Sequence, residues 1–217
     1  MLARIESRLA RDRLALLGGF RPAADEPDLP AGCSTLLLLG PDEPGFWEHL
    51  RRQPEWDGAP DPLDRWSRRV IAGIAGEFAA EALFPFGGPP FRPFFRWALR
   101  SGRLWQSPVR LLVHDRQGLM VSFRGALALT EPIDLPAGRN PCTGCAAPCL
   151  RACPAAALGG QGYEVATCHD WLDRAQGAPC LDAGCLVRRA CPVSRAYGRR
   201  AEQSAYHMRQ FHRPSAG

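Results

Sequence analysis

Eight of the nine cysteines fall between Cys142 and Cys191, and the ninth, Cys33, stands alone. Thiols crowded into one short segment must either bridge one another or hold something together. The choice depends on the redox compartment, because clustered cysteines in a reducing cytosol bind metal or do redox chemistry more often than they form disulfides. The opening stretch from Met1 to Gly18 mixes Arg4, Glu6, Arg8, Arg11, Asp12 and Arg13 into the place where a secretory leader needs an unbroken apolar core. The longest apolar run, around Leu36 to Leu39, is far shorter than the roughly 20 residues that cross a bilayer. The expectation is a cytoplasmic chain with no membrane segment, whose cysteines are ligands.

Length and charge narrow the reading further. A chain of 217 residues can bury a sizeable core, and it suits one α/β domain carrying a smaller appended module. All 27 basic residues are arginine, a bias that a GC-rich genome produces by itself. The net charge of +5 is therefore no ground for nucleic-acid binding, and no basic helix is interleaved with stacking aromatics. What the charge does imply is attraction to an acidic redox partner.

Along the chain, Leu2, Ile5 and Leu9 recur at helical spacing, and Gly18-Gly19 reads as a stop. The apolar run Ser34 to Gly40 reads as a buried strand, with Cys33 at its start as a small packing residue. Asp61-Pro62 predicts a helix start, with an N-cap oxygen followed by a preset ring, and Trp66, Val70, Ile74 and Phe78 line one face beyond it. The loop Phe84 to Phe91 contains paired glycines that permit close approach of something flat. The preferred reading is a proline-stiffened turn packed under a helix at Phe94 to Arg100, with Phe86, Gly87 and Gly88 as candidate cofactor-binding residues in the alternative. Val109 to His114 and Leu119 to Leu129 are rich in strand formers and read as adjacent antiparallel strands joined at Asp115 to Gly118. The stretch Pro132 to Pro141 is a natural linker, which places a boundary near residue 135.

The first cysteine run has the spacing C-x2-C-x3-C-x3-C-P, from Cys142 through Cys145 and Cys149 to Cys153-Pro154. It differs by one inserted residue from the bacterial ferredoxin run, in which the fourth cysteine ligates the other cluster. The second run, Cys168, Cys180, Cys185 and Cys191-Pro192, is looser but closes on the same cysteine-proline pair. By analogy, one [4Fe-4S] cluster takes Cys142, Cys145, Cys149 and Cys191, and the other takes Cys153, Cys168, Cys180 and Cys185. The competing chemistry is zinc, since tetrahedral four-thiolate sites also use C-x2-C pairs and His169 follows Cys168. Structural zinc generally takes two paired knuckles, however, whereas here one compact run holds four cysteines. Gly144, Ala146, Ala147 and Ala152 leave room for backbone N–H groups to approach the sulfurs. Arg151, Arg188, Arg189, Arg195, Arg199 and Arg200 surround the runs and read as a solvated face, or as a docking surface for an acidic donor. His169, His207, Met208 and His212 read as surface or packing residues.

With these residues in place, the region from about Pro108 to Tyr197 resembles the C-terminal half of epoxyqueuosine reductases and their reductive-dehalogenase relatives. The likeness lies in the order of its parts: paired strands, the four-cysteine run with Pro154, an isolated cysteine in Ala166-Thr167-Cys168-His169-Asp170-Trp171, and the last three cysteines with Pro192. The resemblance implies an α/β (α+β) fold. A nitroreductase- or cobalamin-reductase-like domain would occupy 1–135 and a ferredoxin-like dicluster module 136–217. It also implies that cobalamin or flavin could accept electrons from the clusters. The family's proton-donating acid would precede a Gly-Pro pair, but Gly88-Pro89 follows Phe86 and Gly87 with no carboxylate, which speaks against epoxyqueuosine as substrate. Three functions are therefore expected in descending order: an iron–sulfur electron carrier, a reductase feeding a corrinoid or flavin, and a zinc-stabilised interaction protein.

Overall fold

The computed structural model describes residues 1–23, 26 and 28–212, and it forms two compact units. The chain passes between them more than once. Unit one contains Met1–Leu104 and Ser122–Arg139, and unit two contains Trp105–Val121 and Asn140 onward. The predicted boundary near 135 sits close to the final crossing, but the segment 105–121, which the sequence assigned to the first domain, belongs to the second unit.

Unit one is an α+β body around an antiparallel sheet. Helix α1 (Leu2–Arg11) buries Ile5 and Leu9, as the spacing predicts, but it ends much earlier than Gly18. Arg13 turns the chain with φ 53°, and strand β1 (Leu14–Phe20) follows at once. Gly18-Gly19 is therefore no helix stop. It lies inside β1, where the register with β2 (Thr35–Pro41) slips between Leu16 and Gly18. Gly18 adopts φ 124° at this bulge, a conformation that L side chains resist. A Cβ on Gly19 would stand 2.3 Å from the Leu36 carbonyl oxygen, so the second glycine serves close strand approach.

The predicted strand at Ser34–Gly40 is present as β2, and Leu36 to Leu39 are wholly buried. Burial of each such leucine contributes about 1.5–3 kcal/mol, and truncating one to alanine costs about 2–5 kcal/mol. Helix α2 (Phe46–Arg51) buries Phe46, Trp47 and Leu50. Helix α3 (Pro62–Glu77) begins at the predicted residue and buries Trp66, Val70 and Ile74, while Phe78 is its C-cap. Asp61 enters it with φ 52° and makes no side-chain cap. Its backbone carbonyl accepts from the N–H groups of Asp64 and Arg65 instead. Strand β3 (Glu81–Leu83), the Phe84–Phe91 loop and helix α4 (Phe94–Arg100) follow.

The predicted hairpin at 109–129 is where the structure departs most from the sequence reading. Strand β4 (Leu104–Gln106) pairs with β5 (Leu112–His114), and the chain then turns tightly as His114 and Gly118 exchange backbone hydrogen bonds of 3.0 Å. Gly118 has the expected positive φ. The following residues do not pair back. Strand β6 (Gly125–Leu129) joins the sheet of unit one, giving the order β1-β2-β6-β3.

Unit two is assembled from short elements. A 3-10 turn at Pro148–Arg151 and the two-residue strands β7 (Leu158–Gly159) and β8 (Gly162–Tyr163) precede helix α5 (Val165–Leu172). Helices α6 (Ala178–Ala183), α7 (Leu186–Ala190), α8 (Pro192–Ala196) and α9 (Ala201–Phe211) complete it. Its core joins Val109, Val113, Leu119, Leu158 and Val187 to Cys149 and Cys191, so the thiols are part of the packing. Among the described residues no helix is long and apolar enough to cross a membrane.

Candidate metal centre

The first cysteine loop is shaped by its small residues. The Cys142 N–H donates to Asn140 Oδ1 at 3.0 Å, and a turn closes from the Cys145 N–H to the Cys142 carbonyl at 3.1 Å. Gly144 and Ala147 take positive φ values of 75° and 49°, curling the chain so that Cys149 enters the 3-10 turn just after Pro148. Cys191 arrives from the distant second run as the N-cap of α8, with Pro192 preset behind it. These four thiols line one cavity of about 360 Å³, walled by Ser107, Pro108, Val113, Leu119 and Val193 among others.

Electrostatics separates the eight thiols into two quartets. Burial pushes the Cys142 thiol up, and the neighbours that add to this are Cys145, Cys149 and Cys191. The buried Cys149 is raised too, with Cys191 and Cys145 contributing. Burial raises Cys168 most, a hydrogen bond from Tyr163 opposes this, and Cys185, Cys153 and Cys180 raise it further. Cys180 is raised by burial and by Cys185 and Cys153, against the Leu186 backbone N–H and Arg189. Cys142, Cys145, Cys149 and Cys191 thus lie near one another, and so do Cys153, Cys168, Cys180 and Cys185. Among the described residues, no group of three His, Cys, Asp or Glu side chains is gathered closely enough to hold a metal ion.

Thiols raised by burial and mutual repulsion are poor anions alone. They ionise readily only around a cationic centre, which is the chemistry of a ligand set. If iron–sulfur clusters bind, Cys142, Cys145, Cys149 and Cys191 are the residues that would hold one and Cys153, Cys168, Cys180 and Cys185 those that would hold the other.

Three neighbours were not legible as site residues. Tyr163 hydrogen-bonds Cys168, and burial together with the charges of Cys168 and Cys185 pushes its phenol far above the usual value. Arg188, read from sequence as part of a solvated face, donates from Nη1 to the Leu119 carbonyl. Burial pulls its guanidinium down, while Cys185 and Tyr163 favour its charge. Ser107 lies far upstream of the cysteine runs in sequence. His169 stacks on Phe211 at 4.5 Å, and its Nδ1 lies 2.7 Å from His212 Nδ1. His212 Nε2 in turn meets Asp173 Oδ1 at 3.0 Å, so these two histidines tie α5 to the end of α9.

Phe86, Gly87 and Gly88 lie in unit one beside a cleft of about 460 Å³. The Arg68 guanidinium covers Phe86 at 5.1 Å and Phe84 at 5.4 Å, and a Cβ on Gly87 would stand 2.2 Å from Arg68 Nη2. A flat group stacking here would first have to displace Arg68. Cys33, also in unit one, donates to the Thr35 carbonyl at 3.5 Å. Compared with known proteins, the chain matches no family model, no curated protein and no solved structure.

Proposed function

We propose that the protein carries electrons through two [4Fe-4S] clusters held in unit two. The observation carrying this reading is the sorting of eight thiols, drawn from two separate runs, into two quartets, one of which lines a single cavity. A lone zinc binds thiolates at about 2.3 Å and draws them to roughly 4 Å from one another. A four-iron cube would take one thiolate from each of its four cysteines, which is the number each quartet supplies. Cluster potentials follow charge, hydrogen bonding and exposure, so the small residues of the 142–149 loop and the half-buried Arg188 would tune them.

The partner this reading favours is an acidic redox protein. Arg189, Arg195 and Arg199 line a cleft of about 530 Å³, whose other walls include Ala152, Leu186 and Ala190, the immediate neighbours of Cys153, Cys185 and Cys191. The arginines are braced: Arg195 Nε donates to the Arg189 carbonyl at 3.2 Å and Arg199 Nη1 to the Met120 carbonyl at 2.9 Å. A carboxylate-rich surface docking there would stand close to both quartets.

The second reading, a reductase passing electrons to a corrinoid or flavin, is favoured by the cleft beside Phe86, Gly87 and Gly88. Anaerobic purification tests the first reading. It expects brown protein with about eight irons per chain, and colourless zinc protein would overturn it. Cobalamin or flavin added to the brown protein separates the two readings: a spectral shift on binding supports the reductase, and no shift with either leaves the electron carrier.

A further inference from the structure

The wall of the first cavity contains a polar group with nothing to bind. Ser107 is 6% exposed, and its hydroxyl meets no partner among the described residues. The turn around it consumes both of its backbone groups: its N–H donates to the Leu111 carbonyl at 2.8 Å, and its carbonyl accepts from the Arg110 N–H at 2.8 Å. Only the Oγ–H is left over. Ser107 lines the cavity formed by Cys142, Cys145, Cys149 and Cys191, beside the apolar Pro108, Val113 and Leu119. Thr143 also borders this space but is exposed, so solvent can satisfy it. A buried hydroxyl left without a partner is a destabilising arrangement, and it is explained if the occupant of the cavity accepts its hydrogen bond.

We infer that Ser107 Oγ–H donates a hydrogen bond to a sulfur of the cluster held by Cys142, Cys145, Cys149 and Cys191, and thereby raises that cluster's reduction potential. This rests on the iron–sulfur reading above. Reduction adds one electron to the cluster and concentrates negative charge on its sulfurs. A donor aimed at one of them stabilises the reduced form more than the oxidised form. Ser107 is a positioning and tuning residue, and no bond is made or broken at it.

The test compares wild type, Ser107→Ala and Ser107→Thr, all purified anaerobically, by iron content and by potentiometric titration followed by electron paramagnetic resonance. The expected result is that Ser107→Ala shifts one of two potentials to a more negative value and leaves the other in place, while Ser107→Thr, which keeps the hydroxyl, restores the wild-type value. If Ser107→Ala instead loses one cluster's iron, recovery in Ser107→Thr supports the hydrogen bond and failure to recover overturns it. Unchanged potentials in fully loaded Ser107→Ala overturn the inference while leaving the clusters standing. Wild-type protein that takes up no iron overturns the iron–sulfur reading and this inference with it.

Discussion

Gly118 is the residue at which one added methyl group should do the most damage to unit two. It sits at φ +57°, and a Cβ built on it would stand 2.5 Å from the Ser194 backbone nitrogen, 2.6 Å from Ser194 Oγ and 3.0 Å from Cys191 Sγ. The left-handed backbone alone costs an L residue about 1–2 kcal/mol. Forcing a methyl into a packed site adds about 1–3 kcal/mol. If Ser194 retreats, the 2.8 Å hydrogen bond it accepts from the Leu119 N–H is lost as well, at about 1 kcal/mol. Gly118→Ala should therefore cost roughly 3–6 kcal/mol, a large share of the 5–15 kcal/mol that holds a typical domain folded. On the iron–sulfur proposal it should also lower the iron content, because Cys191 is one of the proposed ligands. Gly32 supplies the control, because it has φ +77° and a Cβ added there would meet nothing within 4 Å, so Gly32→Ala should cost only the backbone share of about 1–2 kcal/mol. Urea unfolding and iron-to-protein ratios read both effects. A Gly118→Ala protein no less stable than Gly32→Ala, with its full iron complement, would refute the close packing of this turn against Ser194 and Cys191.

Crossed ligation predicts that Cys153→Ser removes about four of eight irons and spares the cluster held by Cys142, Cys145, Cys149 and Cys191; loss confined to that spared cluster would contradict it. Charge reversal at Arg189 and Arg195 should slow reduction by an acidic donor protein about tenfold or more at low salt. The difference should fade near 1 M salt, where screening acts within about 3 Å, and equal rates at low salt would exclude the arginine cleft as the docking face. In unit one, burial holds His49 below its usual value of 6.5, with Arg13, Arg52 and Arg69 opposing its protonation and Asp12 favouring it. Below that pH the unfolded chain takes up the proton first, so stability present above about 6.5 should be lost on acidification. His49→Gln should flatten the stability curve between pH 7 and 5, and parallel curves for the two proteins would exclude His49 as the cause.

The cysteine pattern was legible because ligand spacing is a local property: three thiols on a tight curl and a fourth one turn beyond can be read from the sequence. The buried strand around Leu36 to Leu39 was legible for the same reason, since an unbroken apolar run bounded by turn residues leaves little choice. The hairpin at 109–129 was not. Strand-forming residues at Gly125–Leu129 look alike whether they pair with their sequence neighbour or with β2 and β3, and the partner is fixed by long-range packing. Gly18-Gly19 misled for a related reason, because a glycine pair ends a helix or permits a bulge with equal ease. Ser107 became visible only once the fold had taken water away from it, as an isolated serine in a sequence carries no mark of its future burial.

The excursion of residues 105–121 into unit two has a practical consequence for anyone dissecting the protein. A fragment cut at Asn140 would keep every cysteine of the two runs yet forfeit Val109, Val113 and Leu119, which supply its hydrophobic centre, together with Ser107. Unit two is thus no detachable cartridge. A minimal version would have to splice residues 105–121 back in by circular permutation.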